Sequence, residues 1–370
     1  MLFLGVNTGT SADAVDCVAY EFDQGQQELL GGVSVDIHKK LRQEIMVAVE
    51  DDTMSISNLM SLRHQLTLVY AQAIEALLEK ITLAPDDIKA IGLHGQTIHH
   101  RPHAQYPYSL QVEDAHQLAD MVGIDVIGQF RSTDIATGGI GAPLIPAYHQ
   151  YCLSQANKES GIFLNLGGIA NVTICSPSST SGWDIGPANA LMDLWTQSCL
   201  QKPFDDAGVW ARSGRIIDDL LAQWMQDPYL QKSLPKSTGR DYFSRAWLER
   251  YQLNDYPPVD VQATLCAFTV NSIRADMNRL ASSHTGTPIY IYGKGVKNEF
   301  LMEQLAASLT DWPVSDTTTL GIDPEWLECG LFAWLAFCRD ARIPIDLRST
   351  TGARQPAILG ARVRHSGLRA

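Results

Sequence analysis

The sequence predicts an α/β protein of two lobes, each with its own sheet, and three observations carry that prediction. Apolar strands alternate with amphipathic helices along the chain, which implies a sheet with crossover connections rather than an all-β or all-α fold. A run from Phe3 to Tyr20, two apolar strands around a turn of small residues, is partly echoed from Ile162 to Ile174, so a duplication at the scale of a domain is indicated. The 370 residues suffice for two ordinary domains that each bury a core, whereas a single domain would be unusually large.

After the first hairpin, Leu66, Val69, Tyr70, Ala73, Ile74, Leu77 and Leu78 recur at spacings of three and four and predict a helix over Gln65 to Leu78, ending before Pro85. Ile88 to His94 reads as a buried strand feeding the polar turn Gly95-Gln96-Thr97, followed by a helix over Ala115 to Val122 and a strand over Asp125 to Gly128. The segment Gly138 to Pro146, glycine-rich at its front and stiffened by proline at its back, suits a connection between lobes. The boundary therefore falls near Gly128: residues 1–128, with part of the tail 346–370, form the N-terminal lobe, and 129–345 the C-terminal lobe. In the second lobe the pattern predicts a hairpin from Ile162 and helices over Pro187 to Leu200, Ile216 to Met225 and Val261 to Leu280. A strand at Ile289 and a helix from Glu325 to Phe337 follow.

Composition excludes several classes. A hydrophobic fraction of 45% with 19% charged residues is that of a soluble globular protein. No window is apolar enough to cross a bilayer, and the opening Met1 to Val6 has no basic n-region, so it reads as a first strand and the protein is expected in the cytoplasm. The seven cysteines are scattered and contain no Cys-x-x-Cys pair, which favours reduced, mostly buried thiols over disulfides or structural zinc. A formal net charge of −13 disfavours nucleic acid and anionic membranes as partners, while leaving room for a locally basic pocket that takes a small anion.

The small-residue turns at Gly9 to Asp16 and at Gly167-Gly168 offer unhindered N–H groups and hydroxyls suited to an anion, and two such turns facing each other would grip a polyphosphate. Ile289 to Leu301 adds a strand, a glycine turn and a helix N-terminus, a usual nucleotide contact. Each alone is a weak signal. Asp184, at the end of a short strand before Gly186-Pro187, is the best candidate for a general base. It would serve equally as a turn aspartate satisfying local N–H groups, and the residues alone leave both readings open. Arg131 and Asp134 are either a structural ion pair or a clamp for a substrate carboxylate. Asp13 and Asp16 could ligate a hard cation or simply sit at a solvated hairpin tip. Gln96 and Thr97 could donate to sugar hydroxyls or be turn residues. His94, His99, His100 and His103 are dense enough to raise a metal site, but Pro102 breaks the segment and no helical i, i+4 pairing supports one.

Taken together these residues resemble the anhydro-N-acetylmuramic acid kinases. The likeness covers nearly the whole chain and rests on ordered motifs: Gly9-Thr10-Ser11 with Asp13 and Asp16, His94-Gly95-Gln96-Thr97, Phe130-Arg131 with Asp134, Gly141 to Leu144, Asn165 to Asn171, Asp184 with Gly186-Pro187 and Asn189, Pro235 to Phe243, and Asp260 to Leu265. The resemblance implies two RNase H-like lobes of the actin-like ATPase fold with an interlobe cleft. It also implies an ATP- and Mg2+-dependent kinase that opens the anhydro ring of a cell-wall sugar while phosphorylating it, with Asp184 as the catalytic base.

The resemblance assigns Gly9, Thr10, Ser11, Ala12, Asp13, Ala14, Val15, Asp16, Gly167 and Gly168 to the phosphates, and Gly293, Gly295 and Asn298 to the rest of the nucleotide. Gln96, Thr97, Arg131, Asp134, Asn189 and Glu328 fall to the sugar, and Asp13 and Asp16 to Mg2+. A homodimer is also implied. Asn7, Thr8, Ala14, Ala188 and Lys294 depart from the family pattern and bear on nucleotide affinity rather than on the reaction type. The competing readings are a non-catalytic nucleotide sensor, a kinase for another sugar and, weakest, a histidine metal hydrolase.

Overall fold

The computed structural model describes residues 1–9, 11–23, 25–50, 53–177 and 179–367. The chain divides into two compact units, one formed by Met1–Tyr151 with Trp326–Ala370 and the other by Cys152–Glu325.

In the first unit the strands are β1 (Leu2–Thr8), β2 (Ala14–Asp23), β3 (Gln26–Asp36), β4 (Ile88–Leu93), β5 (Gln96–Arg101), β6 (Tyr108–Val112) and β7 (Val126–Gly128). The main sheet runs in the order β7-β4-β1-β2-β3, with the C-terminal strand Ala361–Val363 added antiparallel beyond β7, and β5 pairs with β6 in a separate hairpin. β1 is antiparallel to β2 and parallel to β4. The helix Ile56–Ile81 is longer than its periodic stretch suggested, because Ser55 caps it by accepting from the Asn58 N–H and Thr82 ends it in the left-handed conformation. Its apolar stripe of Leu62, Leu66, Tyr70, Ile74 and Leu77 is fully in the core.

The division corrects the sequence-based boundary. The helix Leu327–Asp340, expected in the second lobe, packs on β1, β2 and β4 of the first unit. Two glycines that face each other across β1 and β4, Gly5 and Gly92, admit it. A Cβ on Gly92 would collide with the Phe332 carbonyl and come within 2.6 Å of its carbon, and one on Gly5 would stand 2.8 Å from the Ala333 nitrogen. The Cys329 thiol then donates to the Gly5 and Asp16 carbonyls at 3.1 and 3.2 Å. Residues 138–146 likewise lie inside the first unit rather than linking lobes: the Ile140 N–H donates to the Thr351 carbonyl at 2.9 Å.

The second unit repeats the arrangement. Its strands β8 (Gly161–Leu166), β9 (Ile169–Cys175), β10 (Thr180–Pro187), β11 (Ile289–Tyr292) and β12 (Val314–Asp316) lie in the order β10-β9-β8-β11-β12. β9 is antiparallel to both neighbours, and β8, β11 and β12 are parallel. Strand for strand this is the order and direction of β3-β2-β1-β4-β7, so both units have the RNase H-like sheet, to which the first adds the strand Ala361–Val363 and the β5–β6 hairpin. Two sequence-based boundaries move here. Pro187 closes β10 instead of opening a helix, which begins at Asn189, and Asp184 lies within β10 rather than after it. The long helix Pro258–His284 opens with prolines, whose fixed φ suits a first turn, and its buried Phe268 packs on Trp224 and Trp247. No helix among the described residues is long and apolar enough to cross a membrane.

Candidate active site

Asp184 sits at a β-bulge. The β10–β9 register slips between Asp184 and Gly186, so Ile185 is an extra residue, and bulges of this kind re-aim a side chain. Trp183 and Ile185 point into the core on either side, leaving Asp184 half-buried between them. One carboxylate oxygen, Oδ2, accepts from the Ser237 hydroxyl at 2.8 Å and from the Thr238 N–H at 3.0 Å. Its Oδ1 takes no hydrogen bond among the described residues. Its own peptide is held at both ends: the N–H donates to the Lys236 carbonyl at 3.0 Å, and the Tyr229 hydroxyl donates to its carbonyl at 2.5 Å. Burial pushes the Asp184 carboxyl above its ordinary range, with the Thr238 and Ser237 hydrogen bonds opposing it. One oxygen fixed, the other open and a raised affinity for protons are the attributes of a general base.

Behind Asp184 lies a buried charge network that sequence reasoning did not find. The Lys236 ammonium, 1% exposed, pairs with Asp276 at 3.0 Å, and Asp276 also accepts from the Trp183 indole at 3.0 Å and pairs with Arg279 at 3.2 Å. Lys236 also lies 5.1 Å from the centre of the Tyr229 ring. The Pro235 to Phe243 motif was visible, but nothing in its spacing discloses that its lysine turns inward while its Ser237 and Thr238 face the carboxylate.

The turn beside this site is Gly167-Gly168. Its carbonyls accept the N–H groups of Ala188, Asn189 and Ala190 at 2.9 to 3.1 Å, so the following helix is tied to the hairpin. Asn189, expected at the sugar, instead directs its amide to the Leu166 and Gly167 carbonyls at 2.9 and 2.8 Å and is a structural tie. The Gly293–Gly295 turn packs on the same hairpin. Gly293 has φ +90° and a Cβ there would strike the Asn165 amide, while one on Gly295 would stand 2.7 Å from the Leu166 carbonyl oxygen. Asn298 caps the next helix by accepting from the Leu301 N–H at 3.0 Å, and Lys294 is exposed. Ala188 keeps a negative φ of −104°, so the alanine is accommodated.

In the first unit, the β1–β2 turn carries its left-handed residue at Ala12, φ 48°, and not at Ala14, which begins β2. Thr10 lies outside the described residues. Val15, expected at the phosphates, is fully buried in the core, with its backbone in the β1–β2–β3 ladder. Around Gly9 a Cβ would meet nothing nearer than the Ser11 hydroxyl at 4.0 Å, so the turn is open on that side. Arg42 grips the turn from outside, donating to the Ser11 carbonyl at 3.1 Å and pairing with Asp13 at 2.6 Å. Asp16 accepts from the Ser34 hydroxyl at 2.6 Å. Asp16 therefore fits a hard cation better than Asp13, whose charge is already matched by Arg42. Among the described residues no three His, Cys, Asp or Glu side chains gather as a metal site, and His99 and His100 lie on β5.

Gln96 and Thr97 begin β5 rather than forming a turn. Gln96 is 1% exposed with its Oε1 unpartnered, and the Thr97 hydroxyl accepts from the Gln111 amide at 3.2 Å. Arg131 donates to His94 Nε2 at 3.0 Å and to the Gly141 carbonyl at 2.9 Å; burial lowers its pKa to about 10, with Asp134 opposing. Burial and Arg131 both keep His94 neutral, and its Nε2 accepts, which assigns its proton to Nδ1. Asp134, expected at the sugar, is 1% exposed and has both oxygens engaged, by the Gly141 N–H and the Thr351 hydroxyl, each at 2.8 Å. It holds the Gly138–Gly141 turn. Glu328 is exposed on the first turn of the helix Leu327–Asp340.

The family model for anhydro-N-acetylmuramic acid kinase matches residues 1–365. The chain belongs to this kinase family. It is 40% identical over 364 residues to the anhydro-N-acetylmuramic acid kinase of Shewanella baltica, covering 97% of this chain and 98% of that protein. The Legionella pneumophila enzyme of the same name is 39% identical over 361 residues, and the Haemophilus influenzae enzyme 39% over 374, each covering 97% of both partners. Membership of the kinase family makes the chain a phosphotransferase that uses a nucleotide and acts on a small sugar.

Proposed function

We propose that this chain is an ATP-dependent kinase that opens 1,6-anhydro-N-acetylmuramic acid and phosphorylates O6, giving N-acetylmuramic acid 6-phosphate in peptidoglycan recycling. The observation that carries the reading is Asp184, held at the β10 bulge with Oδ1 open. Asp184 takes a proton from a water whose oxygen bonds to the anomeric carbon. The bond from that carbon to O6 breaks, O6 bonds to the γ-phosphorus, and the bond from the γ-phosphorus to the bridging oxygen breaks to release ADP. The proton on Asp184 then leaves to solvent, so atoms and charge balance.

Nucleotide contacts are assigned to residues 9–14 and 16 of the first unit and to Gly167, Gly168, Gly293, Gly295 and Asn298 of the second. Sugar contacts are assigned to Gln96, Thr97, Arg131 and Glu328. What supports Gln96 is its buried unpartnered oxygen, and what supports Arg131 is that its Nη2 has no partner among the described residues. Mg2+ would neutralise phosphate charge, held by Asp16 and, on release from Arg42, by Asp13. The enzyme is read as a cytoplasmic homodimer, which size-exclusion chromatography with light scattering tests. The reaction itself is tested by sugar-dependent ADP release in ¹⁸O-labelled water. Heavy oxygen at the anomeric carbon with phosphate on O6 is expected, and heavy oxygen in the phosphate, or ADP release without sugar, overturns the reading.

A further inference from the structure

The Pro235 to Phe243 loop does more than hold Asp184. Two residues beyond Thr238, the Arg240 guanidinium lies against Gly168 of the turn. A Cβ on Gly168 would collide with its Nε and stand 2.6 Å from Nη2 and 2.8 Å from Cζ. Arg240 is exposed, and among the described residues it donates no hydrogen bond and meets no carboxylate. An arginine set against a glycine turn with its fork unused by the protein has its donors available to an anion bound at that turn. Its position follows from the loop's two anchors: Ser237 and Thr238 on the Asp184 carboxylate, and the buried Lys236–Asp276 pair beneath. The turn carbonyls are already taken by the helix that follows, which leaves this guanidinium as the charged donor at the turn.

We propose that Arg240 is a catalytic residue that binds the terminal phosphoryl group of the nucleotide over Gly168, beside Asp184. This rests on the kinase reading above. Arg240 gives and takes no proton and forms no covalent bond; its N–H donors neutralise charge on the non-bridging oxygens as the group passes from the bridging oxygen to O6. Gly168 is not in the left-handed region, and the three atoms nearest to a Cβ built on it all belong to the Arg240 guanidinium, so a side chain at 168 would displace that group.

The test separates this assignment from the sugar reading by measuring nucleotide binding without sugar. In Arg240→Ala a non-hydrolysable ATP analogue is expected to bind about 10-fold more weakly while ADP binding changes less than about 2-fold. The melting temperature should stay within about 2 °C of wild type, because no intramolecular bond is lost. In turnover, kcat should fall by about 10²- to 10³-fold with the sugar KM little changed, and millimolar guanidinium should restore part of it. Arg240→Lys, which keeps the charge without the fork, should fall between, and it substitutes if the alanine variant does not fold. Gly168→Ala, which displaces the guanidinium, should show the same selective loss and add nothing to Arg240→Ala. Equal weakening of both nucleotides, or no change in either, overturns the assignment. A selective loss of the triphosphate in a protein whose wild type shows no sugar-dependent turnover upholds Arg240 and overturns the substrate reading.

Discussion

The two hairpin turns occupy the same place in the duplicated sheets and are built differently. The β1–β2 link has five residues, 9–13, with a left-handed Ala12 and an acid, Asp13, tied from outside by Arg42. The β8–β9 link has two, Gly167 and Gly168, with its carbonyls sealed by the following helix and Arg240 laid across it. One turn is open and carries carboxylates; the other is tight and carries a cation. Repeating a topology repeats the positions where chemistry can be placed, but the side chains packed around each position decide which charge stands there.

The largest expected effect tests the carboxylate beside the second turn. Asp184→Asn should lower kcat by at least about 10³-fold, roughly 4 kcal/mol of barrier, while nucleotide binding holds within about 3-fold. A carboxyl whose folded-state pKa is raised binds its proton more tightly when folded, so wild type loses stability as pH climbs from the unfolded value through the folded one. Asparagine does not titrate, and its oxygen can still accept from Ser237 and Thr238. The variant should therefore melt above wild type at neutral pH and converge with it in acid, and a lower melting point at neutral pH would contradict the burial of Asp184. By the same shift, the acidic limb of the wild-type kcat profile should lie above the ordinary aspartate range.

Next in size is the support of the second turn. Lys236→Met leaves Asp276 buried with only Arg279 to offset it and should cost about 3 kcal/mol in urea unfolding, whereas the double variant Lys236→Met, Asp276→Leu should recover most of it. Recovery of stability without recovery of kcat would mean that the pair serves to aim the Arg240 loop. For the first unit, Gly92→Ala drives a Cβ into the backbone of the helix Leu327–Asp340 and should cost about 2 kcal/mol. A neutral result would contradict the close approach of that helix to the sheet that bears the first turn.

The smallest effect concerns the first turn itself. Arg42→Ala removes a half-exposed pair and should change stability by less than about 1 kcal/mol, while the Mg2+ concentration for half-maximal activity falls because Asp13 is released. A rise would instead assign Arg42 to the phosphates and make the two turns alike, each with its own cation.

Much of this was legible in the chain. The helix Ala115–Val122 stands where the sequence places it, and the stretch from Gln65 to Leu78, with apolar residues at spacings of three and four, lies inside the helix Ile56–Ile81, because a single stripe must face a single core. Asp184 was legible as a candidate, and so were the two glycine turns. Asp134 and Asn189 were not separable from ligand-contacting residues, because an aspartate that accepts from the Gly141 N–H and one that meets a sugar have the same short-range sequence. The lobe boundary failed for a related reason: the helix Leu327–Asp340 is apolar on the face it buries, but no local pattern says which sheet it covers.

By itself the sequence determined the α/β class, the duplication and the kinase family, since alternating periodicities and ordered motifs are properties of the chain read along its length. Only the tertiary structure decided that Gly5 and Gly92 bring the helix from 327 onto the first sheet, that Ser237 and Thr238 fix one oxygen of Asp184, and that Arg240 rests on Gly168. Those are contacts between segments separated by tens to hundreds of residues. What fixes them is steric clearance and the need of buried polar groups for partners, neither of which local sequence records.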